Sequence, residues 1–217
     1  MDFRKPIEEV IPGAQGKLLN VFAHTSTNLS TSTAARLSGV SVAQASRILP
    51  ELARMGILER TEVPPSVTYR FVSDNLASQA ISFLSRIREV AIDELRRLAL
   101  AKVDPSISLV LFGSFARADA DSESDIDVLL VHPDDNQNPE EWSDGVEEWR
   151  RSAQLLTGNE VELMAVNQSE VSRLFDSGRP VWSDIQTDGI AIIGRSLDEL
   201  RSGLSEDLCV TQRTGAN

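Results

Sequence analysis

Two stretches decide how this chain is read: Ile107-Ser108-Leu109-Val110-Leu111-Phe112-Gly113-Ser114 and, ten residues further on, Asp125-Ile126-Asp127-Val128-Leu129-Leu130-Val131. Each holds a short apolar run rich in β-formers and bounded by turn residues, the pattern of a buried strand. Side chains alternate faces along a strand, so Asp125 and Asp127 point one way while Ile126 and Val128 point into the fold. Two carboxylates this close force one of them to take up a proton unless a cation neutralises them. Hard oxygen ligands suit magnesium, which in turn completes its octahedron with phosphate oxygens. The Gly113-Ser114 turn supplies the other half of such a site. Glycine lets backbone amides approach an anion, and a helix start adds partial positive charge and a hydroxyl.

Outward from this pair, the pattern continues in both directions. Residues 133–139 are loop-like, with two prolines, two asparagines and two aspartates. A helix follows over 140–156, with Trp142, Val146, Trp149, Ala153 and Leu156 at helical spacing and both tryptophans read as core. Gly158-Asn159 ends it, and Glu160-Val161-Glu162-Leu163-Met164-Ala165-Val166 reads as a strand with Glu160 and Glu162 on one face. Upstream, Leu76, Ala80, Phe83, Leu84, Ile87, Ala91, Leu95 and Leu98 form one stripe of a long connector helix over 74–102. That stripe suits a dimer seam or packing on its own chain.

Gly-Ser, ten residues, then Asp-x-Asp, each attached to an apolar strand, resembles the signature of the DNA polymerase β-like nucleotidyltransferase superfamily. Gly113-Ser114-Phe115-Ala116-Arg117 is similar to its minimal nucleotidyltransferase type. Pro180-Val181-Trp182-Ser183-Asp184-Ile185 and residues 188–194 resemble the family's closing helix and strand, extending the likeness over about 104–197. The resemblance implies a mixed β-sheet flanked by helices and metal-dependent transfer of a nucleoside monophosphate from an NTP to an acceptor. It implies that Asp125, Asp127 and a third acid bind the metal and are catalytic; that acid is Glu162 by position, with Glu160 the alternative. Two Mg2+ ions are implied with NTP bound. Gly113, Ser114 and Arg117 are the implied nucleotide contacts. The chain departs from the family at Glu162, where aspartate is common, and at Ala118, where glycine is usual. A domain of this kind that only senses nucleotide is the alternative to an enzyme.

Residues 1–73 read helix, helix, helix, hairpin. Gly16–His24 is the first helix; the second begins at Ala34, capped by Ser32-Thr33, and stops before Gly39. The third runs from a Ser41 cap through Met55, and strands follow around the Pro64-Pro65 turn. The order resembles a winged helix-turn-helix over about 15–72. It implies that Ser41, Gln44, Ser46 and Arg47 face DNA while Arg60 or Arg70 reaches the backbone from the wing. A winged helix used only for packing or dimerisation is the alternative. Pro50 predicts a kink near Ser46.

The chain is therefore expected to be an α+β protein. Its parts are a winged helix-turn-helix (1–73), a connector helix (74–103), a nucleotidyltransferase fold (104–204) and a flexible tail (205–217). The charge is divided accordingly. Residues 1–73 carry eight Lys/Arg against six Asp/Glu, and the remainder 13 against 27, within a net charge of −12. Two units with different electrostatic tasks follow from that asymmetry, and transcription regulation is the expected link between them. No apolar run is long enough to span a membrane, the N-terminus does not read as a secretory signal, and Cys209 is the single cysteine. A cytoplasmic homodimer is expected, with NTP and DNA as partners.

Overall fold

The computed structural model describes residues 1–64, 66–134 and 139–202, apart from the side chains of Val63 and of residues 139–142. The expectations for Trp142, Cys209 and the 205–217 tail lie outside the described residues, as does most of the 133–139 loop. The chain divides into two compact units, Met1–Val90 and Ala91–Asn217.

The first unit runs α1 (Pro6–Val10), α2 (Ala14–Ala23), β1 (Leu29–Ser30), α3 (Thr31–Ser38), α4 (Val42–Arg54), β2 (Leu58–Val63), β3 (Ser66–Phe71) and α5 (Leu76–Ser85). Its three strands form an antiparallel sheet in the order β1-β3-β2. Leu18, Leu19 and Phe22 of α2, Ala34 and Ala35 of α3, and Ala45, Leu49 and Leu52 of α4 are buried with Leu58, Tyr69 and Ile81 in one core. Ala45, Leu49 and Leu52 recur at intervals of four and three, the stripe that drives α4 onto its neighbours. Ser41 begins α4 with a capping box: its Oγ accepts from Gln44 N–H at 3.1 Å, and Gln44 Oε1 accepts from Ser41 N–H at 3.0 Å. Helix α4 continues to Arg54 with Pro50 inside it. The cap of α3 is Ser30, whose Oγ accepts from Thr33 N–H at 3.2 Å, so α3 starts earlier than the expected Ser32-Thr33 cap.

The expected single helix over 74–102 is two, α5 and α6 (Ile87–Lys102), meeting at Arg86. At the join, Arg86 N–H turns back to Phe83 O at 3.1 Å and Ser85 Oγ donates to Ser82 O at 2.9 Å. Local hydroxyl bonding of this kind competes with continuation of the helix. Only part of the expected stripe is buried. Leu84 packs on the core of the first unit, and Ala91 and Leu95 are buried in the second, whereas Leu76, Ala80 and Phe83 are exposed and Ile81 and Ala99, outside the stripe, are buried instead.

The second unit adds β4 (Ser108–Phe112), α7 (Gly113–Ala116), β5 (Ile126–His132), α8 (Pro139–Thr157), β6 (Val161–Asn167), α9 (Gln168–Phe175), α10 (Pro180–Asp188), β7 (Ile190–Ile193) and α11 (Leu197–Ser202). Its sheet is mixed, in the order β6-β5-β4-β7, with β5 and β6 parallel and the other pairs antiparallel. Helices lie against it. Val110, Leu129 and Val131 of one face pack with Val171 and Phe175 of α9, Trp182 and Ile185 of α10, and Leu200 of α11. Leu109, Leu111, Val128 and Leu130, on the opposite face, are buried too. Burial on both faces is why β5 reads as a nearly continuous apolar run. The indole of Trp149 donates to Leu95 O at 3.1 Å, tying α8 to α6. Among the described residues, no helix is long and apolar enough to cross a membrane.

Candidate active site

The acidic positions are the ends of rows that are otherwise core. Along β5 the row that starts at Asp127 continues as Leu129 and Val131, and along β6 the row from Glu162 continues as Met164 and Val166. All four hydrophobic members belong to or pack on the α9–α11 cluster. The register sets the acids side by side: Asp127 pairs with Phe112 across β4–β5 and with Glu162 across β5–β6. Neighbouring strands lie about 4.8 Å apart, so Asp127 and Glu162 are directly adjacent carboxylates. Asp125 is exposed one residue before β5, and Glu160 one residue before β6, where its carbonyl accepts from Ile126 N–H at 2.8 Å. The strand starts thus set Asp127 beside Glu162, with Asp125 and Glu160 each two residues upstream on its own segment.

Like charges opposite one another on neighbouring strands repel, and Asp127 bears the consequence. Its carboxyl is held above its ordinary value, chiefly by burial and then by Glu162 and Asp125, with Arg117 pulling the other way. Among the described residues, no group of three or more His, Cys, Asp or Glu side chains closes on a single ion position. The carboxylates are neighbours rather than a closed ligand set. Their donor chemistry, hard anionic oxygens next to one another at a half-buried edge, fits a hard divalent cation.

Gly113 is shaped to Asp127. Its φ is +68°, in the left-handed region, and a Cβ on it would stand 3.0 Å from Asp127 Cγ and overlap Oδ2. The carboxylate therefore occupies the place where any other residue would have a side chain. The helix expected after this turn is the single turn α7, which ends at Arg117. Ser114 sits half-buried within it. Arg117 is exposed and lies 3.8 Å from Asp119 Oδ2, while Asp119 N–H donates to Ser114 O at 2.8 Å. Ala118 has φ +64°, a left-handed conformation at the position where the family usually has glycine.

The residues expected to face DNA are divided. Ser46 and Arg47 are exposed on α4. Ser41 and Gln44, also exposed, engage the Ser41 hydroxyl and the Gln44 side-chain oxygen in the capping box. Arg60 pairs with Glu62, and Arg70 with Glu59 at 2.7 Å, so both wing arginines already have acidic partners. Sequence reading missed Asn159. It is 4% exposed and reaches across to the segment before Asp125. The dipeptide Gly158-Asn159 was legible only as a helix end; nothing local in the sequence marks a long-range tether.

Residues 92–179 match the family model for the nucleotidyltransferase domain. That stretch lies within the second unit, includes Asp125, Asp127 and Glu162, and supports a transferase enzyme. No curated protein matches the sequence. Two solved structures bear a partial likeness. One is a toxin–antitoxin crystal structure with AMP-PNP, at 17% identity and TM-score 0.35, covering 51% of this chain and 81% of that one. The other is a mutant of the MntA–HpeT toxin–antitoxin, at 16% identity and TM-score 0.34, covering 51% and 80%.

Proposed function

We propose that the second unit transfers a nucleoside monophosphate from an NTP to an acceptor hydroxyl in a metal-dependent reaction. The observation that carries this is the row of Asp127 and Glu162 beside Asp125, with Asp127 seated in the space that Gly113 leaves open. Asp125, Asp127 and Glu162 would hold Mg2+, two ions when NTP is present. The metal, once bound, neutralises triphosphate charge and lowers the acceptor's pKa. Gly113, Ser114 and the neighbouring amides of α7 orient the β- and γ-phosphates, and Arg117 adds a cation at the same edge. The acceptor oxygen bonds to the α-phosphorus, the bond from that phosphorus to the bridging oxygen breaks, and pyrophosphate leaves with the electron pair. Glu162 takes the acceptor's proton, with Glu160 as the substitute base.

The first unit, in this reading, is a winged helix-turn-helix that docks α4 in the major groove. Its support is the element order, the short turn between α3 and α4, and the exposed Ser46 and Arg47 on α4. Ser41 and Gln44 lie at the groove end of that helix and Arg60 on the wing. Through it the chain regulates transcription in the cytoplasm as a homodimer. Two observations favour nucleotide sensing as the second reading: Glu162 is longer than the usual aspartate, and Ala118 holds a strained left-handed turn.

Calorimetric titration of ATP, GTP, CTP and UTP with magnesium, into wild type and Asp125→Ala/Asp127→Ala, tests the site. Magnesium-dependent binding lost in the variant is the expected result. Binding that survives in the variant would remove the carboxylates from the account.

A further inference from the structure

Between α7 and Asp125 the chain makes a turn that is locked internally. Asp121 N–H donates to Ser124 Oγ at 3.0 Å, and Ser124 Oγ donates to Asp121 Oδ1 at 2.9 Å. Ser124 N–H also reaches Asp121 O at 3.2 Å. Such a turn is rigid in itself but has no inherent position relative to the rest of the sheet. The side chain of Asn159 ties it to the end of the next helix. Asn159 donates its amide hydrogens to both carbonyls that bracket the turn, Asp121 O at 3.2 Å and Ser124 O at 2.8 Å.

Asn159 has a firm footing. Its backbone N–H donates to Thr157 Oγ1 at 3.3 Å, and the Thr157 hydroxyl donates to Ala153 O at 2.8 Å in the last turn of α8. The next residue, Glu160, receives Ile126 N–H at 2.8 Å. Asp121, Ser124 and Ile126, on either side of Asp125, are thereby fastened by three hydrogen bonds to Asn159 and Glu160, the two residues before Val161. A buried primary amide is costly unless its donors are matched, and each matched bond returns only about 0.5–1.5 kcal/mol net. An amide here is therefore better explained by the geometry it imposes than by stability.

We infer that Asn159 is a positioning residue for the carboxylate site, holding Asp125 and Asp127 of one strand in fixed relation to Glu162 of the next. This rests on the nucleotidyltransferase reading above. Removing an outer residue that orients metal ligands typically weakens metal affinity ~10–100-fold.

The test is titration of the full-length protein with Mn2+, followed by electron paramagnetic resonance, beside thermal unfolding of each variant. Four variants are compared with wild type: Asp125→Ala/Asp127→Ala, Asn159→Ala, Asn159→Asp and Trp149→Phe. Asn159→Asp keeps the volume and, when ionised, loses both donors. Trp149→Phe removes a different buried hydrogen bond of the same unit and serves as a control for lost stability. The expected result is binding in wild type and in Trp149→Phe, about 10–100-fold weaker binding in both Asn159 variants, and none in the double variant. Asn159 variants that bind within about 2-fold of wild type overturn the positioning role while leaving the metal site standing. Wild type that takes up no Mn2+ overturns both. If neither Asn159 variant folds, hydrogen exchange of metal-free wild type decides: the side-chain amide protons of Asn159, which make the two bonds to Asp121 O and Ser124 O, exchange slowly if the tether holds, and at unprotected rates if it does not.

Discussion

Substituting Gly113→Ala tests the fit between the first turn and the second strand. The added Cβ would lie 3.0 Å from Asp127 Cγ, where relaxed carbon–carbon contacts are about 3.5–4.0 Å. The carboxylate must therefore retreat by roughly 0.5–1 Å, and more on the side where Oδ2 overlaps the new methyl group. The backbone adds its own cost, because φ +68° is left-handed and disfavours an L-residue by roughly 1–2 kcal/mol. For a chain of this size that cost corresponds to a fall of about 2–8 °C in thermal midpoint. Disturbing the groups that orient a metal ligand typically weakens metal affinity ~10–100-fold. Calorimetry with Mg·NTP should thus show binding weakened about 10–100-fold, in a protein that remains folded. Wild-type affinity in Gly113→Ala would refute the claim that Asp127 uses this space.

Other substitutions separate the remaining parts. Asp127→Asn should raise the thermal stability of the metal-free protein at neutral pH while abolishing metal binding. Because the folded carboxyl sits above its ordinary 3.8, the folded state holds its proton longer than the unfolded chain, so wild-type stability falls as pH rises from 3.8 through the raised value. Thermal melts across that window check the sign; a wild type that gains stability relative to Asp127→Asn as pH rises would contradict it. Ala118→Gly should relieve a left-handed φ of +64° and stabilise the protein by about 0.5–1 kcal/mol, net of glycine's greater freedom when unfolded. Denaturant melts measure it, and a destabilised variant would mean that the turn is not strained. Arg47→Ala should weaken binding to all duplex DNA sequences alike and lower the salt slope by about 1, leaving Mg·NTP binding intact. Loss of nucleotide binding in that variant would refute the independence of the two units.

The acidic strand start was legible because the local pattern is unambiguous. An apolar run hidden on both faces, opened by Asp-x-Asp, allows no other placement of Asp125 and Asp127. The parallel register that puts Glu162 opposite Asp127 was not legible, since pairing between strands separated by a 19-residue helix is set by tertiary packing. The break at Arg86 was hidden for a related reason: Phe83, Leu84 and Ile87 keep helical spacing straight through it, and no proline or glycine marks the join. Helix α9 was missed although Val171, Leu174 and Phe175 have helical spacing, because Gln168, Ser169 and Glu170 make its first turn look like loop. The capping box of Ser41 and Gln44 shows the opposite problem. The same two residues satisfy a helix-start pattern and a DNA-contact pattern, and the fold uses them for the first.

The central claim is transfer of the nucleotide itself. It is tested most directly by incubating wild type and Asp125→Ala/Asp127→Ala with magnesium, a cell extract as acceptor source, and the preferred NTP labelled at either the α- or the γ-phosphate. The account predicts α-label fixed to an acceptor, γ-label released as pyrophosphate, and neither event in the double variant. Fixation of γ-label would contradict nucleotidyl transfer, and bound NTP with no release of pyrophosphate would make the domain a sensor.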